Sequence, residues 1–371
     1  MRFASLLLLM GMIVGVILFL GCSQPSIVPE TVPEAKVDWN KNFYTSLHYT
    51  RQGKITFYSA EHGGAELITG KPIDDFGCIK CHANTKANGD PISTETYTPD
   101  CYDCHITPGD KVNDSRCLEC HARQRTEIAV LNLSDVHRGM GCMDCHSKED
   151  VMGDGNHYPT LLKRETRVEC TDCHQYNGSA VHNLHGKVYC TSCHQTTVIA
   201  CYNCHLDSAE KHQKRAFRPF AGFEILVNYN GKVYPANFMT AVYHNKTFVT
   251  IQPFYSHSIS EKAKKCDECH GNEIIINYLA TGNIVMTRWN ETNKSLSIIR
   301  GVVPLPEDWK SALKFDYITY IGDPSNPVKP EPWNWTYVKS ESDVMQICCA
   351  EPLTKEQIEK LAKEYGKGKT S

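Results

Sequence analysis

The chain has 371 residues and a formal net charge of −3, from 42 acidic and 39 basic side chains. This balance excludes the broad basic surface that nucleic-acid-binding proteins present. The 19 cysteines are too dilute for a small disulfide-stapled scaffold, so their spacing has to indicate their role.

The first 22 residues have the composition of an export signal. Arg2 supplies a positive start, residues 6–20 form an uncharged apolar run, and Gly21-Cys22 follows. Residues 18–22 (Leu-Phe-Leu-Gly-Cys) resemble a lipoprotein signal, which implies a lipid on Cys22 after cleavage. A retained helix over residues 3–21, just long enough to span a bilayer, and a plain cleaved signal are the alternatives. All three predict an exported chain at the cell surface or in a periplasm-like compartment, and the first two anchor it to the membrane.

Three blocks follow this signal. Residues 23–36 are polar and contain proline, so they are predicted to be a tether. Residues 37–215 contain 14 cysteines, many turn-forming residues and little helical periodicity, which predicts a mostly irregular N-terminal domain with few short helices. Residues 216–371 contain four cysteines and are predicted to form a β-rich (α+β) C-terminal domain.

Local patterns in the last block predict strands and a closing helix. Residues 223–229 and 232–234 flank Asn230-Gly231, a pair typical of a β-hairpin turn. Further strands are predicted at residues 247–251, 274–278, 283–289 and 295–300, the last two as a second hairpin. Residues 354–365 predict a helix with Thr354 as its N-cap.

The sequence Cys-x-x-Cys-His occurs eight times, and it is the attachment signature of c-type haem. The two thiols add to the porphyrin vinyl groups, and the adjacent histidine becomes the proximal iron ligand. Zinc sites also use Cys-x-x-Cys pairs, but they need no histidine directly after each pair. The two cysteines of one such pair are poorly placed for a structural disulfide. The predicted thioether cysteines are Cys78, Cys81, Cys101, Cys104, Cys117, Cys120, Cys142, Cys145, Cys170, Cys173, Cys190, Cys193, Cys201, Cys204, Cys266 and Cys269. The predicted proximal ligands are His82, His105, His121, His146, His174, His194, His205 and His270.

With these motifs the chain resembles the octahaem c-type cytochromes of the multihaem cytochrome c superfamily. The resemblance covers residues 78–270 and implies eight covalently bound haem c groups. Seven motifs fall within residues 78–205, where haems rather than apolar side chains are expected to form the core, so the N-terminal domain is predicted to wrap seven haems. The eighth motif, at Cys266, is predicted to lie in the β-rich domain.

Nine histidines lie outside the motifs and are the candidate distal ligands. Eight irons need eight second ligands, so this number predicts mostly bis-histidine haems, which leave no open position for a substrate. His137 and His185 each lie five residues before the first cysteine of a motif, where they can reach a neighbouring haem. The nine candidates are His48, His62, His137, His157, His182, His185, His212, His244 and His257.

The predicted function is extracytoplasmic electron transfer from a membrane donor, either a redox protein or a quinol-linked complex, to an extracellular or surface acceptor such as a mineral or another cytochrome. Each oxidised haem adds a charge of about −1, which gives a holoprotein near about −11 and favours basic partners. A multihaem reductase or dehydrogenase of a small nitrogen or sulfur oxyanion is one alternative, although the chain has no Cys-x-x-Cys-Lys motif. A homo-oligomeric subunit of an extracellular cytochrome filament is the other alternative. No catalytic residue is predicted.

Overall fold

A computed structural model describes residues 38–76, 83–93, 97–164, 168–175, 178–204, 206, 218–322 and 334–365. Trp39–Ser371 form one compact unit. The predicted signal with Cys22, and the predicted domain boundaries at residues 36 and 215, lie outside the described residues and stay predictions. Within the described ranges no helix combines the length and the apolar character that a bilayer crossing requires.

The first half consists of short helices joined by turns. Side chains cap several of them: Asn113 Oδ1 accepts the Ser115 N–H at 2.9 Å, and Ser46 Oγ accepts the Tyr49 N–H at 3.1 Å. The α-helices are α1 (Trp39–Phe43), α2 (Leu47–Thr50), α3 (Gln52–Tyr58), α4 (Glu66–Thr69), α5 (Asp114–Cys120), α6 (Ala122–Arg125), α7 (Cys142–Cys145), α8 (Lys148–Met152), α9 (Ala180–Leu184) and α10 (Cys190–His194). One-turn 3₁₀ helices cover Ala60–His62, Ile73–Phe76, Cys101–Asp103, Leu161–Lys163 and Cys170–Asp172, and a π-helical turn covers Thr126–Val130.

The second half is built on a curled six-stranded mixed sheet. Its strands are β1 (Val198–Cys204), β2 (Arg218–Tyr229), β3 (Lys232–Tyr243), β4 (Lys246–Pro253), β8 (Gly301–Pro304) and β12 (Ser342–Ile347), in the order β12-β4-β3-β1-β2-β8. The hairpin β2–β3 turns at Asn230 (φ 46°) and Gly231 (φ 72°), where positive φ is needed at both positions. The predicted hairpin is therefore confirmed, and so is the predicted strand at residues 247–251, which lies in β4.

β1 lies in the interior of this sheet. It pairs antiparallel with the first part of β2 and parallel with the last part of β3, so it fills the gap where these two strands diverge. Val198, Ile199, Ala200 and Tyr202 are fully buried. They pack with apolar side chains of β2, β3 and β4, and this cluster is the main hydrophobic core of the described residues.

Shorter elements complete the second half. Three two-stranded pairs are β5 (Ile284–Val285) with β9 (Leu313–Lys314), β6 (Thr287–Asn290) with β7 (Ser295–Ile298), and β10 (Tyr317–Tyr320) with β11 (Trp335–Val338). The remaining helices are α11 (Cys266–Cys269), α12 (Glu273–Thr281), α13 (Trp309–Ala312) and α14 (Lys355–Ala362). The second predicted hairpin is confirmed in β6–β7, and the closing helix is confirmed in α14, where Thr354 caps Gln357.

The predicted strand at residues 274–278 is wrong, because these residues lie in α12. Asn272 Oδ1 caps the helix by accepting the Ile275 N–H at 3.0 Å, and Gly282 ends it in the left-handed conformation. Ile275 is buried while Ile276 and Leu279 are exposed. The local caps and the burial of a single face outweigh the strand preference of three consecutive isoleucines.

The predicted fold class, a mostly irregular haem-wrapped N-terminal domain with few short helices plus a β-rich (α+β) C-terminal domain carrying the last haem, is wrong as stated. β1 comes from the block predicted to be irregular, yet it is an interior strand of the six-stranded sheet. Wrapping of haems by the described part of the first block is not shown. Val198-Ile-Ala-Cys-Tyr is a run of residues that favours a buried strand, and it overlaps the seventh Cys-x-x-Cys motif.

Candidate haem sites

Most described motifs form a single helical turn. In five of them the histidine N–H donates to the carbonyl of the first cysteine at 2.8–2.9 Å, at His105, His121, His146, His174 and His270. The sixth, Cys190 to His194, is the whole of α10. In a helical turn, positions i, i+3 and i+4 share one face, so both thiols and the imidazole of each motif lie on the same side of the backbone.

An acidic side chain closes four of these turns. The third residue of the motif accepts the backbone N–H of the residue before the first cysteine, as the acid of a capping box does. The bonds are Asp103 Oδ2 to Asp100 N (2.8 Å), Asp144 Oδ2 to Gly141 N (2.7 Å), Asp172 Oδ2 to Glu169 N (2.8 Å) and Glu268 Oε2 to Lys265 N (2.6 Å). These four residues were not among the predicted site residues, although the acid at the third motif position is visible in the sequence.

The seventh motif differs from the others. Cys201 and Cys204 lie in the strand β1, whose register shifts between them, and not in a helical turn. Cys78, Cys81 and His82 of the first motif, together with His205 and the candidate ligand His212, lie outside the described residues.

The structure brings motif and non-motif histidines together in pairs. Four contacts between histidine rings each join one histidine from outside the motifs to one motif histidine. They are His48 with His121 (ring centroids 5.9 Å apart), His137 with His174 (5.9 Å), His182 with His194 (6.3 Å) and His185 with His270 (6.2 Å). A ligand nitrogen lies about 2.0–2.1 Å from its metal ion, and the centroid of its ring lies about 1.1 Å farther away. The centroids of two rings on opposite sides of one metal ion are therefore about 6.3 Å apart. The spacing of these pairs therefore fits two axial ligands of one iron.

Backbone carbonyls orient five of the histidine rings. Because a carbonyl oxygen only accepts hydrogen bonds, Nδ1 of each neutral ring carries the hydrogen, and Nε2 carries the lone pair that a metal needs. The bonds are His48 Nδ1 to Val151 O (3.0 Å), His105 to Asp110 O (2.7 Å), His185 to Val181 O (3.0 Å), His194 to Ser260 O (3.1 Å) and His270 to Lys360 O (3.0 Å).

His257 has a carboxylate as its orienting partner. Its Nδ1 and backbone N–H both lie 3.2 Å from Glu127 Oε2, and Glu127 is fully buried in the π-helical turn. The role of His257 as a ligand, and the motif that it serves, stay predictions.

His121 is held in the neutral form that ligates iron. Desolvation by surrounding groups, followed by the charge of His48, lowers its pKa to about 4, so the ring is uncharged at neutral pH.

Three other candidate distal ligands occupy separate places. His62 Nδ1 lies 2.8 Å from Ser59 Oγ at the end of a 3₁₀ turn. His157 is exposed after α8. His244 lies in the β3–β4 turn with φ 47°, and its ring is 4.2 Å from that of Tyr243. Their role as ligands stays a prediction.

A buried ion pair lies between the sixth and the eighth motifs. Lys264 Nζ donates to Glu224 Oε2 at 3.0 Å and to the carbonyl of Ser192 at 3.2 Å. Both side chains line a cavity of ≈ 730 Å³, and the second carboxylate oxygen of Glu224 has no hydrogen-bond partner. Desolvation raises the pKa of Glu224 to about 7 even though Lys264 opposes the shift. Glu224 has no signal in the sequence, because it sits within an otherwise ordinary β-hairpin strand.

Within the described ranges, no group of three or more His, Cys, Asp or Glu side chains is placed to hold one metal ion. No family model, no curated protein and no solved structure matches the chain.

Proposed function

We propose that this protein is an exported electron carrier with eight covalently attached haem c groups. The observation that carries the proposal is the pairing of His121, His174, His194 and His270 with four histidines from outside the motifs, at the spacing of two axial ligands. Chance contacts would also join motif histidines to one another, but each of these four contacts joins the two classes.

The burial pattern of the motif-rich segment supports a large apolar cofactor there. Between Ile92 and Tyr189 the buried side chains of the described residues, apart from the apolar Pro99, are polar or charged: Arg116, Thr126, Glu127, Thr160 and Arg164. Large apolar side chains next to the candidate ligands are exposed instead, including Leu184 (81%), Ile106 (70%) and Val181 (62%). Porphyrin rings held by the adjacent motifs would cover these side chains.

The haem groups, when bound, supply irons that change oxidation state by one electron. The chain's residues attach them through the motif thiols and hold each paired iron from both sides, which leaves no position for a substrate. This arrangement favours electron transfer over the reductase alternative. The proposed donor is a membrane-bound redox protein or quinol-linked complex, and the proposed acceptor is an extracellular mineral or cytochrome.

Mass spectrometry of the mature holoprotein tests the haem number. We expect the mass of the chain plus eight haems, and six or fewer haems would refute the assignment. The double variant Cys201→Ala/Cys204→Ala should lose one haem, which tests the motif that lies in β1. The matched control is Cys348→Ala/Cys349→Ala, an adjacent pair outside the motifs, which should keep all eight.

Low-temperature electron paramagnetic resonance tests the ligation. Fully bis-histidine haems give only low-spin ferric signals. A sizeable high-spin signal that shifts on addition of nitrite would favour the reductase alternative instead.

A further inference from the structure

We infer that α9 and its C-cap residue His185 ligate two different haems. His182 ligates the haem attached at Cys190 and His185 the haem attached at Cys266, so that the eighth motif adjoins the sixth and not the seventh. This inference rests on the proposed haem attachment and deepens it, because it assigns ligands to two metal sites and orders the sites in space.

The two histidines lie one helical turn apart but contact different motifs. The His182 ring is 6.3 Å from that of His194, with 32° between the ring planes. The His185 ring is 6.2 Å from that of His270, with 57° between the planes. One short helix therefore brings an imidazole to each of two motifs that are far apart in sequence.

Hydrogen bonds set the protonation of these rings. His185 donates from Nδ1 to Val181 O, and His270 donates from Nδ1 to Lys360 O, each at 3.0 Å. In both neutral rings the lone pair is therefore on Nε2, as a shared iron requires. On the other pair, His194 donates from Nδ1 to Ser260 O at 3.1 Å, and His182 Nδ1 lies 3.0 Å from Ser179 Oγ.

The backbone ties the eighth motif to the sixth. The Lys264 N–H donates to Cys193 O at 2.8 Å, and the Ser260 N–H donates to His194 O at 2.7 Å. Cys201 of the seventh motif packs instead against the cluster of Phe57, Met239 and Cys348.

Contacts also join earlier motifs in chain order. Arg116 of α5 donates from Nε to Asp103 O, and Asp114 Oδ2 accepts the Cys142 N–H at 3.2 Å. The His137 ring lies 5.9 Å from that of His174, and the Tyr189 hydroxyl donates to Glu169 Oε2. The row therefore follows the motifs that begin at Cys101, Cys117, Cys142, Cys170 and Cys190, and then passes to Cys266.

Double variants test whether two histidines serve one iron. His185→Ala and His270→Ala should each convert one haem in eight from low-spin to high-spin, measured by quantitative paramagnetic resonance. The double variant H185A/H270A should still convert only one, because both residues hold the same iron. The cross-pair H185A/H194A should convert two, and Asn183→Ala, also on α9, should convert none.

Two converted haems in H185A/H270A, or one in H185A/H194A, would overturn the assignment. Methionine variants at the same positions keep the iron six-coordinate where alanine prevents folding. H185M, H270M and H185M/H270M should then each show one altered haem by near-infrared charge-transfer absorption. Wild-type protein without haem by mass spectrometry defeats the proposed function itself, whereas eight haems with additive double variants defeat only the pairing.

Discussion

Replacing Glu224 by Gln should remove a pH dependence of stability that this carboxyl imposes. The side chain is 1% exposed, one of its oxygens has no partner, and desolvation raises its pKa from 4.5 to about 7. Between these values the folded protein keeps a proton that the unfolded chain releases, so stability is greatest below pH 4.5 and falls as the pH rises to 7. A shift of this size corresponds to about 3 kcal/mol.

Urea unfolding of the holoprotein, followed by far-ultraviolet circular dichroism at pH 4.5, 5.5, 6.5 and 7.5, measures this effect. The unfolding free energy of wild type minus that of Glu224→Gln should fall by about 3 kcal/mol across the series, and other titrating groups cancel in the difference. Glu356→Gln is the matched control, because Glu356 is exposed on α14 beside Lys360, and it should leave the pH profile unchanged. A flat difference, or one that rises with pH, would refute the argument that desolvation outweighs the ion pair.

Three further predictions concern residues around the motifs. Lys264→Met should destabilise the protein by about 3–5 kcal/mol at pH 7.5, because it leaves a buried carboxylate without its cation. The same unfolding series should show a smaller loss at pH 4.5, and equal losses at both pH values would contradict this. Glu127→Gln removes the carboxylate that contacts His257 Nδ1. One reduction potential among the eight should therefore rise in a spectroelectrochemical titration, while all haems stay low-spin. Unchanged potentials would exclude His257 as a ligand. Asp144→Ala removes the cap of the fourth motif at a cost of about 1 kcal/mol. When haem supply is limiting, mass spectrometry should show fewer haems per chain in this variant. Met143→Ala, at the exposed neighbouring residue, should keep the wild-type haem content.

Interactions between residues close in sequence were predictable. Asn230-Gly231 requires positive φ at two successive positions, which identifies the β2–β3 turn without any tertiary information. Thr354 and Gln357 satisfy each other's backbone N–H groups, so the start of α14 is equally local.

Interactions over long distances in the chain were not predictable. β1 enters between β2 and β3 because those strands diverge, and no property of residues 198–204 alone reports that divergence. The partner of His48 Nδ1 is the carbonyl of Val151, a backbone atom that every residue possesses. For the same reason the histidine count predicted bis-histidine ligation but could not assign any distal ligand to a motif.

The two ligands of each proposed haem thus arise at different levels of structure. In six described motifs the thiols and the proximal histidine come from one five-residue turn, and in four of these an acidic side chain of the same turn caps it. The distal histidine comes from another element, as with His48 of α2 and His121 after α5. In the segment between Ile92 and Tyr189 the buried side chains of the described residues are mainly polar, and Leu131, Leu133 and Leu162 pack against the main core. We therefore expect distal ligation to add to apolar packing in joining these elements. We also expect attachment to precede folding and closure of the second axial bond to be coupled to it, as metal binding is in small metal-dependent domains. Loss of a distal histidine should consequently loosen the contact between two distant elements as well as open an iron, whereas loss of a motif cysteine should act first on attachment.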